Sequence, residues 1–234
     1  MFKDQHIAVI GASHGIGWRV AQLLSAQGAF VHAYSRTPLP ELLPNATWYG
    51  LDVLQPDFEL TGLPETLHGL VYCPGSINLK PFSRISSASL REELEINLVG
   101  AFTAIQRAFP ALKRSGGAGS IVLFSTVAVQ TGMNFHAGIA AAKGAVEGLT
   151  RSLAAEMAPT VRVNAIAPSL TDTPLAASLL NTEEKKLAAI NRHPLRKIGT
   201  VDDMANAVLF LLSEQSAFIT GQVLRVDGGM GNLK

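Results

Sequence analysis

Apolar positions along the chain follow two alternating rhythms. Short unbroken runs bounded by Gly, Pro and Ser stand at Ile7 to Ile10, Phe30 to Tyr34, Leu70 to Tyr72, Ser120 to Phe124, Val161 to Ile166 and Val223 to Val226, with a further candidate at Thr47 to Leu51. Runs of this kind predict seven strands, most of them buried on both faces. Between them, apolar residues recur three and four apart, which predicts helices. One follows the first glycine cluster and fades near Gln27, another runs from near Gly138 to about Met157, and a third spans Val201 to Leu212. The longest begins at Ser87 as its cap and runs to about Arg114, with Leu90, Leu94, Leu98, Phe102, Ile105, Phe109 and Leu112 as its buried stripe. Strands alternating with helices, without repeats or a linker, predict one α/β domain over residues 1–234. Its expected core is a doubly wound, seven-stranded parallel sheet in three layers, with ligands bound at the carboxyl ends of the strands.

The first of those strand ends carries the most chemistry. Ile10-Gly11-Ala12-Ser13-His14-Gly15-Ile16-Gly17 links a strand to a helix start, where glycines allow a close backbone approach and free N–H groups favour a phosphate. The second strand ends in Ser35-Arg36. In a dinucleotide-binding, Rossmann-type sheet an acid at that place holds ribose hydroxyls, and arginine suits a 2′-phosphate instead. No acid follows this strand, so NADP(H) is the expected cofactor, with His14 nearby. Asp52-Val53 closes the third strand, where the carboxylate either meets an adenine or caps a turn. The fourth strand breaks into Cys73-Pro74-Gly75, beneath the middle of a dinucleotide. No cation is evident near Cys73, so an inert thiol is expected. Asn97 sits inside the longest helix, where it either relieves a kink or holds a water near the cofactor.

Charge narrows the partners. A net charge of +1 and 16% charged residues leave no basic field for nucleic acid or anionic lipid, so the expected partners are a small-molecule substrate and further copies of the chain. The single cysteine excludes an internal disulfide and a multi-cysteine metal site, and no metal is expected. The Met-Phe-Lys-Asp-Gln-His start lacks a signal-peptide layout, and no apolar run reaches membrane-spanning length, so a cytoplasmic protein is expected.

Taken together, Gly11-x-x-x-Gly15-Ile16-Gly17, Asp52-Val53, Asn97, Lys143, Val163-Asn164-Ala165-Ile166-Ala167-Pro168 and Ile219-Thr220-Gly221 with Val226-Asp227-Gly228-Gly229 resemble the short-chain dehydrogenase/reductase family over almost the whole chain. The resemblance implies that Gly11, Ser13, Gly15, Ile16 and Gly17 hold a pyrophosphate and that Ser35 and Arg36 choose NADP. It also implies that Asp52 and Val53 meet the adenine and that Pro168, Ser169, Thr171 and Thr173 position the nicotinamide amide. Two departures are mild: the family's Asn-Asn-Ala-Gly turn reads Tyr72-Cys73-Pro74-Gly75, and its Pro-Gly after the sixth strand reads Pro168-Ser169. The third is severe. The family places a tyrosine four residues before the lysine and thirteen after a serine; those positions are Ile139 and Thr126. Thr126 keeps a hydroxyl, but Ile139 has no proton to give.

In the family, the lysine lowers the phenol pKa and grips the nicotinamide ribose; Lys143 keeps only the grip. Losing a positioned acid removes about 10² to 10⁴ in rate, or roughly 3 to 5 kcal/mol. The expected activity is therefore NADPH-dependent hydride transfer to activated carbonyls, of quinone or vicinal diketone class, around Thr126, Lys143 and Asn97. His136 and Ile139 are expected to touch substrate under a lid at 175–196. The alternative is a non-catalytic NADPH-binding sensor or assembly protein. Small residues at Ala142, Gly144, Ala145 and Gly148, with family analogy, suggest a homotetramer or homodimer.

Overall fold

The computed structural model describes residues 1–233 and contains one parallel sheet. Its strands are β1 (His6–Ile10), β2 (Phe30–Ser35), β3 (Ala46–Gly50), β4 (Gly69–Tyr72), β5 (Gly119–Phe124), β6 (Val161–Pro168) and β7 (Val223–Val226). Their order is β3-β2-β1-β4-β5-β6-β7, all parallel. The helices are α1 (Gly15–Ala26), α2 (Ser87–Leu94), α3 (Gly100–Lys113), a short α4 (Ala128–Thr131), α5 (Ala137–Met157), α6 (Glu183–Arg192) and α7 (Val201–Leu212). The expected seven strands, three layers and single doubly wound sheet are all present.

Side-chain alternation along the strands builds the two outer layers. Ile7 and Val9 of β1 face a core formed with Val20, Leu24, Met204 and Val208 of α1 and α7. Ala8 and Ile10 face the other core, with Ala104, Ile105, Ala108 and Val146 of α3 and α5. The chain winds outward from β1 in one direction and then from β4 in the other. This leaves a crevice at their carboxyl ends, where a ligand is reached by both halves.

The helix expected from Ser87 to Arg114 is divided. Ser86, rather than Ser87, caps α2 by accepting from Ser89 N–H at 3.1 Å. Residues Glu95–Val99 form a π-helical turn, in which the Gly100 N–H reaches back to the Glu95 carbonyl. The Ile96 carbonyl freed by this shift accepts from the Tyr72 hydroxyl at 2.6 Å. One extra residue in a turn rotates everything beyond it by about 100°. The buried stripe of α3 is therefore Ala101, Ala104, Ile105, Ala108 and Leu112, while Phe102 is 49% exposed instead of joining it. Both expectations for Asn97 bear on this turn, since it lies within it.

Candidate active site

Two adjoining cavities open at the carboxyl ends of the strands. The first, about 480 Å³, is lined by Gly11, Ser13, His14, Gly15, Ile16 and Gly17, by Ser35, Arg36, Asp52 and Val53, and by Cys73, Pro74 and Gly75. Backbone geometry shapes it. Gly11 takes a φ of +80°, and a Cβ on Gly17 would overlap the Gly11 carbonyl oxygen, so glycine is required for this crossing of strand and helix. Ser13 Oγ lies 2.7 Å from His14 Nδ1. Ser35 Oγ donates to the Thr37 carbonyl at 2.7 Å, leaving the exposed Arg36 as the cation at this end. Asp52 does cap a turn, accepting from Leu54 N–H at 3.0 Å, and it also lines the cavity.

The second cavity, about 660 Å³, shares Ile16, Cys73, Gly75, Thr173 and Leu175 with the first. Thr126, His136, Ile139, Lys143, Pro168, Ser169 and Thr171 line it. Ser125 also reaches the cavity, but its hydroxyl donates to the buried Glu147 carboxylate at 2.8 Å. Thr126 Oγ1 accepts from Ala128 N–H at 3.3 Å, and its own proton remains available to the cavity. Ile139 is 5% exposed and Lys143 8%, one helical turn apart on α5. Burial lowers the Lys143 pKa to about 8, opposed by the neighbouring Cys73. A cation therefore does stand beside Cys73, contrary to expectation. Burial nevertheless prevails over Lys143 and pushes the thiol up to about 12, so the thiolate is disfavoured.

Asn97 lines neither cavity. Its Nδ2 donates to the Glu93 carbonyl at 2.8 Å and to Ser76 Oγ at 3.1 Å, while its buried Oδ1 has no partner. A Cβ built on Gly75 would lie 3.1 Å from that oxygen and 3.6 Å from Lys143 Nζ, so the amide and the ammonium border one small polar space. None of the three tyrosines lines the second cavity. The hydroxyls of Tyr34, Tyr49 and Tyr72 donate to the carbonyls of Thr61, Gly62 and Ile96.

A family model described as enoyl-(acyl carrier protein) reductase matches residues 59–231. A tropinone reductase homolog of Arabidopsis thaliana is 36% identical over 245 residues, covering 97% of this chain and 93% of the relative. A solved short-chain type dehydrogenase/reductase from Mycobacterium ulcerans is 32% identical with a TM-score of 0.90, covering 100% of this chain and 92% of that one. The chain belongs to the short-chain dehydrogenase/reductase family. Another similar protein of known structure, from Beutenbergia cavernae, is assigned as an NAD(P)-dependent gluconate 5-dehydrogenase and was solved with NADP bound at low occupancy. It is 30% identical with a TM-score of 0.89, and 97% of each chain is covered.

Members of the family use NAD(P) cofactors, and the residues present fit one: a glycine-built cleft, a cation at its far end, and an orphaned buried amide oxygen beside a lysine. Sequence reasoning missed several other residues of the second cavity. His193 is 1% exposed, its Nδ1 faces the Ala189 carbonyl at 2.7 Å, and its Nε2 lies 2.8 Å from Ser169 Oγ. The ring is thus protonated on Nδ1 when neutral, and Ser169 donates to Nε2. Lys185, Ala188 and Arg192 of α6, which Thr182 caps, also line the cavity, and their spacing of three and four puts them on one helix face. Glu93, which lines neither cavity, was not readable at all. Its buried carboxyl occupies the space a side chain on Gly138 would need, and burial raises its pKa.

Proposed function

We propose that this short-chain dehydrogenase/reductase is an NADPH-dependent oxidoreductase, a single domain over residues 1–234 that reduces activated carbonyls of the quinone or vicinal diketone class without an active-site tyrosine. The observation that carries the reading is Ile139, which stands with Thr126 and Lys143 in the second cavity while every tyrosine hydroxyl of the chain is bonded elsewhere. NADPH, when bound, supplies the hydride. Gly11, Ser13, His14, Gly15, Ile16 and Gly17 surround its pyrophosphate, Ser35 and Arg36 its 2′-phosphate, and Asp52 and Val53 its adenine. Cys73, Pro74 and Gly75 lie beneath its centre, and Pro168, Ser169, Thr171 and Thr173 meet the nicotinamide amide.

Lys143 holds the ribose hydroxyls through its buried ammonium. Thr126 donates a hydrogen bond to the substrate carbonyl oxygen and orients it; His136 and Ile139 complete the wall against which the substrate rests. The proton arrives late, from the Thr126 hydroxyl or from a water held between Asn97 Oδ1 and Lys143 beside Gly75, and the Lys143 ammonium or solvent returns a proton to the donor; the unpartnered Oδ1 supports the water site. A ketone that needs protonation during hydride arrival loses about 10² to 10⁴ in rate here. Quinones and vicinal diketones spread the arriving charge and lose less. Residues 175–196 act as the lid, tied to the cofactor loop by His193 and Ser169. The face of α5 around Gly148, which nothing approaches within 4 Å, suits assembly into a homodimer or homotetramer.

The test follows NADPH absorbance against a panel of quinones, vicinal diketones, imines and simple ketones, with NADH in parallel. Quinones and diketones are expected to exceed the blank with NADPH, and simple ketones are not. Tight NADPH binding with no acceptor above the blank would replace this reading with the second one, a non-catalytic sensor or assembly protein, which the missing proton donor also favours.

A further inference from the structure

The second cavity has a charge pattern that the reduction chemistry does not require. Among the described residues three formal cations line it, the buried Lys143 and the exposed Lys185 and Arg192 of the lid helix, and no Asp or Glu does. Lys185 and Arg192 lie seven residues apart on α6, with Ala188 between them, so one helix face presents two cations flanking a small side chain. The acidic residues of α6 are placed differently. Glu183 pairs with Lys186 at 2.9 Å, and neither Glu183 nor Glu184 lines the cavity. Lys185 Nζ has only neutral partners, the Ser178 carbonyl at 3.1 Å and Asn181 Oδ1 at 2.8 Å, and Arg192 forms no ion pair with any described residue. The bond from Ser169 to His193 fixes the last turn of α6 against the cofactor loop, which keeps Arg192 at the cavity. The remaining wall is largely apolar and includes Leu79, Met133, Leu179 and Met230.

We infer that the substrate carries an anionic group, a carboxylate or a phosphate, held by Lys185 and Arg192, with an apolar body between that group and the carbonyl at Thr126. This inference rests on the proposed function for the position of the carbonyl. Cations in a concave, largely apolar cavity concentrate an attractive field on an anion, and arginine grips carboxylate or phosphate through paired donors.

The experiment compares three matched acceptors with NADPH: 1-(4-carboxyphenyl)propane-1,2-dione, its methyl ester, and the corresponding aryl phosphate. The acid or the phosphate is expected to exceed the ester in kcat/KM by about tenfold or more, and whichever does so identifies the anion. Lys185→Met and Arg192→Met should each reduce that anion-to-ester ratio about tenfold, Arg192→Lys should retain part of it, and rising salt should shrink it in the wild type. Calorimetric binding of the same acid and ester to the NADP⁺-loaded protein provides a readout independent of turnover. Reduction of the ester together with equal affinity for acid and ester would overturn the anion site and leave the proposed function standing. Absence of all turnover, with acid binding that still depends on Lys185 and Arg192, would overturn the proposed function and leave the anion site standing. A ratio unmoved by both methionine variants overturns the assignment to these two residues.

Discussion

The two cavities are neighbours with shared walls, yet they are built by different means. The first is made of backbone: strand ends, a left-handed Gly11 and a helix start packed so closely that Gly17 admits no side chain. The second is made of side chains delivered by segments far apart in sequence, from Ile16 to Met230. A backbone cradle tolerates almost no substitution and gives one kind of ligand a place. A side-chain cavity keeps its frame while its residues change: Ile139 lines the second cavity on α5, while the first keeps its glycine turn and departs from the family's pattern only at Cys73-Pro74.

Four substitutions sharpen or break this contrast. Gly17→Ala is expected to have the largest effect, because the new methyl meets a backbone oxygen that the turn holds in place. Stability should fall on the order of 4 kcal/mol, and NADPH binding should be lost, as read by thermal unfolding and fluorescence titration. If alanine at this position leaves binding intact, the first cavity is not backbone-determined. Ile139→Tyr, at a cavity-facing position, is expected to raise kcat/KM for a simple ketone by about 10², the lower end of the range for a positioned acid. Unchanged rates in a folded, NADPH-binding variant would show that proton delivery does not pass through this position.

Lys143→Met separates stability from function. The folded-state pKa of about 8 lies below the ordinary 10.5, so the unfolded chain holds this proton more firmly, and burying the charged ammonium costs up to about 3 kcal/mol at neutral pH. The variant should therefore unfold at higher temperature by the equivalent of about 2 kcal/mol while losing turnover. In the wild type, this group adds stability as pH rises from about 8 toward 10.5, and the variant should lack that rise. NADPH affinity in the wild type should weaken above about pH 8, as the ammonium is lost. The smallest expected effect is that of Arg36→Ala, about tenfold weaker NADPH binding with NADH binding little changed. Equal losses for both cofactors would remove Arg36 from the 2′-phosphate.

Much of the first cavity was legible because glycine, proline and strand-end residues act through the local backbone, and their meaning survives without knowledge of what lies opposite. The same locality made the α5 boundaries readable. The reading failed where phase depended on a distant partner. Nothing near Glu95 announces that Tyr72 will take the Ile96 carbonyl and stabilise a π turn, so Phe102 was placed in a buried stripe of which Ile105 and Leu112 are part and it is not. The bond joining His193 to Ser169, the fit of Glu93 against Gly138, and Lys143 beside Cys73 likewise involve residues at least 24 positions apart.

The amino-acid sequence by itself determined the alternation of strands and helices, the family, the glycine-built cleft and the aliphatic residue where an acid is expected. All of these depend on residue type and spacing within single segments. Only the tertiary structure decided that none of the three tyrosines lines the second cavity, that Asn97 and Lys143 border one polar space, and that two lid cations line that cavity with no carboxylate among its described residues. The physical reason is that hydrogen-bond satisfaction and the sign of a cavity's charge are sums over groups that only chain folding brings within a few ångströms of one another.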